Sequence, residues 1–180
     1  MLSKKKLVIF TVTLLLSFCF SFLCSAAEIA ASIAGSGIWI YRSNTWTAIT
    51  PSIPESMFYS GSTLYADFGA GGIWMWNGSS WTKLTPSNPE NMVVSGSTLY
   101  AEFGAGGIWR WNGSSWLQLT PSNPENMVVS GSTLYAEFGA GGIWKWNGTG
   151  TSWTRITPSN PENMVASDTA LYADFGAGGI

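Results

Sequence analysis

The stretch GAGGIWRWNGSSWLQLTPSNPENMVVSGSTLYAEF, residues 104–138, is preceded by GAGGIWMWNG and followed at once by GAGGIWKWNG. Trp39, Trp74, Trp109 and Trp144 recur at intervals of 35 residues, a period typical of architectures that use one supersecondary unit per repeat. The copies that begin at Trp74 and Trp109 differ only at Met75/Arg110, Thr82/Leu117 and Lys83/Gln118. Identity this close reports recent duplication, so the positions that differ carry the information.

Within one unit, Gly, Asn and Pro mark off four runs: NMVVS (91–95), TLYAEF (98–103), IWRWN (108–112) and WLQLT (116–120). Runs of about five residues rich in Val, Leu, Tyr, Phe and Trp, bounded by turn formers, read as antiparallel strands. They are called A to D here, from inner to outer. Alternation puts Trp109 and Trp111 on the face of Trp116, and Ile108 and Arg110 on the face of Leu117 and Leu119. The last copy reads NGTGTSW where the others read NGSSW. An insertion of even length keeps Trp153 on the face of Trp144 and Trp146, because side chains alternate with a period of two.

A small sheet with apolar groups on both faces needs a neighbour on each side, and radial packing of four-stranded blades supplies one while leaving only short edges. The expected fold class is therefore all-β, a β-propeller of four-stranded antiparallel blades. A β-solenoid fits less well, since it uses about 20–30 residues per turn. The C–D hairpin at 37–50 and the A–B hairpin at 163–175 suggest a four-blade ring whose terminal strands close one composite blade. Part of a larger propeller is the alternative.

The segment VVSGSTLYAEFGAGGIWRWNGSSWLQL, with its LY strand, Gly-Gly pair, aromatic strand and Trp opening the outer strand, resembles compact kelch and tectonin or tachylectin-like propeller blades. The likeness runs from 38 to 180 and implies a fold. It carries no binding residues across.

The first residues have a basic start, Lys4 to Lys6, an apolar run from Leu7 to Leu23, and Ser25-Ala26-Ala27 before Glu28. That is the pattern of a secretory signal over 1–27, with an uncleaved membrane anchor as the alternative. A short segment, 28–37, would lead into a repeat domain over 38–180. Export implies a secreted, periplasmic or cell-surface protein with no membrane attachment once the signal is removed. Cys19 and Cys24 both lie in the leader, so the mature chain would hold no disulfide. It would carry five basic residues against ten acidic ones, a net charge of −5, which disfavours nucleic acid and anionic membranes as partners.

The chain contains no His, and GAGG suits a turn between strands better than a phosphate cradle. Catalysis by carboxylates usually needs two unlike environments, whereas here each acid recurs from copy to copy, so a non-catalytic protein is expected. The loops TPSNPEN and GAGG should emerge on one end of the ring. That placement nominates Asn88, Glu90, Asn91, Asn123, Glu125, Asn126, Asn160, Glu162 and Asn163 as ligand-binding residues. The competing reading is a turn held by local Asn and Ser bonds. A ring of Glu55, Glu90, Glu125 and Glu162 is an oxygen set of the kind that Ca²⁺ takes. Tryptophans on a shared hairpin face serve first as inter-blade core. Trp74 beside Lys83 and Trp144 beside Arg155 are expected as cation–π pairs on the outer strands. Together these features suggest a multivalent binding module for glycan or another cell-surface ligand, or a structural or protein-interaction scaffold without a small-molecule site.

Overall fold

The computed structural model describes residues 28–167 and 169–178. The leader and Ile180 lie outside them. The first sheet contains β1 (Ile29–Ile33), β2 (Gly37–Arg42) and β3 (Thr45–Thr50). A four-stranded sheet follows: β4 (Ser56–Ser60), β5 (Thr63–Asp67), β6 (Ile73–Trp76) and β7 (Trp81–Thr85). The third sheet is β8 (Asn91–Ser95), β9 (Thr98–Glu102), β10 (Ile108–Trp111) and β11 (Trp116–Thr120). The fourth is β12 (Asn126–Ser130), β13 (Thr133–Glu137), β14 (Ile143–Trp146) and β15 (Trp153–Thr157). A hairpin of β16 (Asn163–Ala166) and β17 (Leu171–Asp174) ends the described residues. Every sheet runs antiparallel in chain order, so the strand reading A to D holds in each complete repeat.

The inner strands neighbour one another in succession, β4 beside β8, β8 beside β12 and β12 beside β16. This is the radial arrangement of propeller blades. Register sets the two faces: Val94, Leu99, Trp111 and Trp116 lie in line across the third sheet, and Val93, Tyr100, Arg110 and Leu117 form the next line. The first of these lines packs backwards, on Tyr65, Ile73 and Leu84 of the preceding sheet. Tyr100, Ile108 and Leu119 pack forwards, on Met127, Leu134 and Trp146. Each sheet thus offers an aromatic face to the sheet before it and a Tyr-aliphatic face to the sheet after it. Leu64, Leu99 and Leu134 are fully buried in these seams, each stabilising the fold by about 1.5–3 kcal/mol.

Hydrogen bonds stitch the same seams. Trp81, Trp116 and Trp153, which open the outer strands, donate their indole N–H to the carbonyls of Ile49, Leu84 and Leu119 in the preceding sheet at 3.1, 3.1 and 3.2 Å. Close approach also explains Gly107, which has φ +71°. A Cβ there would sit 2.0 Å from the Thr120 carbonyl, at the bulge between Ile108 and Trp109. The turn from strand C to strand D spans four residues, with Asn77 Oδ1 accepting from Ser79 N and Ser80 N at 3.0 and 2.9 Å.

The expected closure by terminal strands is not what forms. The edge of β2 is taken by β1, with Ala31 opposite Trp39 and Ile29 opposite Tyr41, and β16–β17 stands as a separate two-stranded sheet. The sheets make an open arc. The segment 28–37, expected as a plain connection, instead supplies through its run IAASI the strand that takes the edge of β2. Glu28 anchors that strand: Arg42 Nη2 donates to its carboxylate at 2.9 Å, and the Tyr59 hydroxyl also donates to it. The hydrogen bond from Arg42, then that from Tyr59, holds the Glu28 carboxyl below its usual range.

Candidate functional site

The loops after strand D and the GAG turns after strand B share one end of the arc. Each GAG forms a short 3-10 turn, Gly69–Gly71, Gly104–Gly106, Gly139–Gly141 and Gly176–Gly178. The preceding acid of strand B caps it: Asp67 Oδ1 accepts from Gly69 N at 2.9 Å, Glu137 Oε1 from Gly139 N at 2.6 Å, and Asp174 Oδ1 from Gly176 N at 2.8 Å. Glu102 does the same with Gly104 N. The loop glutamate of the same repeat lies over that glycine. A Cβ on Gly104 would come within 2.5 Å of Glu90 Oε1, and one on Gly139 within 2.4 Å of Glu125 Oε1.

Each repeat therefore holds two carboxylates around one backbone turn. Asp67 is 3% exposed. Burial, with the Glu55 charge adding to it, pushes its carboxyl up to about 6. Burial first, and then the charge of Glu125, raises Glu137 as well. Proton retention relieves the crowding of like charges.

The predicted residues sort by role. Glu90, Glu125 and Glu162 lie against the glycines of their own repeats, Gly104, Gly139 and Gly176. Their backbone N–H groups donate to the carbonyls of Glu102, Glu137 and Asp174 at 2.8, 2.7 and 2.7 Å. Among the described residues, no three acidic side chains gather into a group that could hold a metal ion. Asn91, Asn126 and Asn163 open the inner strands, directly opposite Glu102, Glu137 and Asp174. Asn88, Asn123 and Asn160 are exposed on the loops. With its amide oriented to satisfy its neighbours, Asn123 donates to Glu102 Oε1 at 2.7 Å, tying the loop to the sheet behind it.

Beside Asn123 lies a groove of about 480 Å³, lined by Thr120, Ser122, Asn123, Phe138, Trp144 and Trp153. It sits between the third and fourth sheets. Trp144 forms its aromatic wall and is held in place by an indole N–H bond to the Gly141 carbonyl at 3.0 Å. Arg155 stacks over the same ring at 5.8 Å and donates to the same carbonyl at 3.0 Å. Lys83 lies over Trp74 at 5.6 Å, so both cation–π pairs expected on the outer strands are present. In the preceding repeat, Gln118 replaces the cation and donates to the Gly106 carbonyl at 3.0 Å, which Trp109 also meets at 2.9 Å.

Of the groove residues, sequence reasoning singled out Asn123 and Trp144 and missed the part played here by Thr120, Ser122, Phe138 and Trp153. The missing signal lay in the repeat itself. A Phe directly before GAGG meets the Trp of strand D edge-on, as in Phe103–Trp116 at 6.0 Å and Phe138–Trp153 at 6.2 Å, and that contact forms the floor.

No protein-family model matches the chain, and no curated protein matches it in sequence. Solved structures do share its architecture. The computationally designed Ika8 protein matches with a TM-score of 0.57 at 12% identity, over 81% of this chain and 50% of that one. BBS1N, solved in complex with ARL6DN, matches with a TM-score of 0.53 at 17% identity, over 76% of this chain and 51% of that one. The GH74 enzyme of Niastella koreensis matches with a TM-score of 0.57 at 15% identity, over 83% of this chain and 28% of that one. The chain spans about half the length of the first two and less of the third. At such identities the likeness concerns fold alone, and what it establishes is an arc of four-stranded, propeller-like blades.

Proposed function

We propose that this protein is an exported, non-catalytic binding module whose inter-blade grooves take saccharide units at the cell surface. The observation that carries the reading is the groove beside Trp144, where an indole fixed by the Gly141 carbonyl and backed by Arg155 stands opposite the polar side chains of Ser122 and Asn123. A rigid aromatic face with a few polar groups across from it suits a sugar ring, which has apolar C–H faces and an equatorial belt of hydroxyls. Thr85, Ser87, Asn88, Phe103, Trp109 and Trp116 are the same residue types one repeat earlier, so a second groove of like chemistry is available. Weak sites repeated on a rigid scaffold add through avidity. The kelch and tectonin likeness belongs to this reading, as does export by the 1–27 leader.

The test is a glycan array probed with the mature chain, with and without Ca²⁺, alongside Trp144→Ala and the double variant Trp109→Ala/Trp144→Ala. Each lost platform should weaken binding, and the double variant should lose avidity by more than tenfold. An array that stays silent under both conditions removes the proposal and leaves the scaffold reading.

A further inference from the structure

The inter-blade grooves repeat the same aromatic residues and differ at their outer edge. Register places the first Trp of strand C directly opposite a strand-D residue on the same face of its sheet: Trp74 opposite Lys83, Trp109 opposite Gln118 and Trp144 opposite Arg155. The Trp that opens strand D stands two residues earlier and shares that face, as Trp153 does with Arg155. Trp144 and Trp153 both line the groove between the third and fourth sheets. Arg155 therefore stands on the groove-facing side of the fourth sheet, on its outermost strand.

These edge residues are chemically unlike. Gln118 is neutral, whereas Lys83 and Arg155 are exposed cations. Among the described residues, neither cation has a carboxylate within ion-pair distance. Arg155 is also fixed in place: its Nε donates to the Gly141 carbonyl at 3.0 Å, the acceptor that the Trp144 indole uses, and its guanidinium lies 5.8 Å from the centre of that ring. Those contacts occupy Nε and leave the two terminal nitrogens, a planar fork that matches the geometry of a carboxylate. Lys83 offers a point charge on a flexible stem instead. The opposite wall separates the grooves further. Asn88 and Asn123 stand in the loops before the third and fourth sheets, whereas the corresponding residue before the second is Ile53, 54% exposed. Among the described residues, platform, fixed cation and loop amide come together in the groove at Trp144.

We propose, resting on the saccharide function of these grooves, that the one at Trp144 selects an acidic sugar ring, with the ring's carboxylate on Arg155 and its hydroxyls toward Ser122 and Asn123. The groove at Trp109, with Gln118 at the same position, takes a neutral ring.

Charge fixes the direction in which such a ring lies. Glu125 precedes the inner strand β12 and Arg155 is on the outer strand β15, so they stand at opposite edges of one sheet. An anion is repelled from the inner edge and attracted to the outer one. The buried acids behind the groove are already engaged, Glu137 with Gly139 N at 2.6 Å and Glu102 with Asn123 at 2.7 Å. Asn123 spends its amide N–H on Glu102, which leaves its oxygen to accept from a sugar hydroxyl. Because the chain as a whole is negative, capture of an anion depends on this local fork rather than on the general field.

The test compares an oligomer of galacturonic acid with the same oligomer as its methyl ester, which keeps the ring and hydroxyls and removes the charge. Titration calorimetry should show the acid bound about tenfold more tightly than the ester, with the advantage shrinking as salt is raised. Arg155→Gln installs the residue that the preceding repeat carries, where Gln118 donates to the Gly106 carbonyl at 3.0 Å, so the fold has room for it. It should lower the acid-to-ester affinity ratio about tenfold, as loss of a charge-assisted hydrogen bond does, and Gln118→Arg should raise that ratio. Equal affinity for acid and ester, or a ratio that Arg155→Gln leaves unchanged, overturns the proposal while the saccharide function stands. So does a chain that binds neutral sugars on the glycan array and neither oligomer. A silent array together with no binding of either oligomer removes the saccharide function and this selectivity with it.

Discussion

The third sheet and the final hairpin are written in almost the same letters, NMVVSGSTLYAEFGAGG against NMVASDTALYADFGAGG, and they live in different surroundings. Tyr100 is 3% exposed and Tyr172 is 60% exposed; Met92 and Met164, at 2% and 3%, are equally buried. The difference follows the faces. Met164 faces the preceding sheet, whereas none of the described residues covers the side of the hairpin on which Tyr172 stands. Burial in a repeat protein belongs to the seam between copies, so one sequence produces core in one place and exposed surface in another.

The strongest challenge to that comparison is deletion of the same leucine in both places. Leu99→Ala empties a fully buried site between two sheets and should cost about 2–5 kcal/mol, read as a fall in the urea midpoint. Leu171→Ala, on the half-buried hairpin, should cost less than half as much in the single arc. Equal losses would mean that the hairpin is as well packed as the interior.

A smaller effect separates the stitching tryptophans. Trp116→Phe keeps most of the ring and strands the Leu84 carbonyl, for a loss of about 1–2 kcal/mol. Trp46→Phe, at a side chain that is 45% exposed, should leave stability nearly unchanged, because among the described residues no preceding sheet offers it an acceptor.

The smallest effect is pH-dependent and sharpens the comparison at the turn end. The Asp67 carboxyl titrates at about 6 in the folded chain against 3.8 in its ordinary state. The folded state therefore holds the proton more tightly. The associated stability is fully present below about pH 4 and declines as pH rises through about 6. The slope should be on the order of 1 kcal/mol per pH unit at most. Asp67→Asn should flatten this part of the stability profile, measured by thermal unfolding between pH 4 and 7.

Much of the fold was legible because strand alternation and glycine spacing are local. The face assignment of Trp109, Trp111 and Trp116 needed only a period of two, and the cation–π partners of Trp74 and Trp144 followed from register. The fate of Glu90 and Glu125 was not legible. The closeness of each carboxylate to the glycine of its own GAG turn depends on the path of the TPSNPEN loop, which the spacing of the residues does not fix. Likewise, IAASI reads as a linker until Trp39 and Tyr41 stand beside it with an open edge.

The sequence by itself determined the repeat, the strands and the two unlike faces of every sheet, since these depend on residues within a few positions of one another. Tertiary structure alone decided the curvature of the arc, the capture of β2 by β1, and which seams remained open. Those outcomes depend on which surfaces meet, and near-identical copies carry no mark of their place in the row.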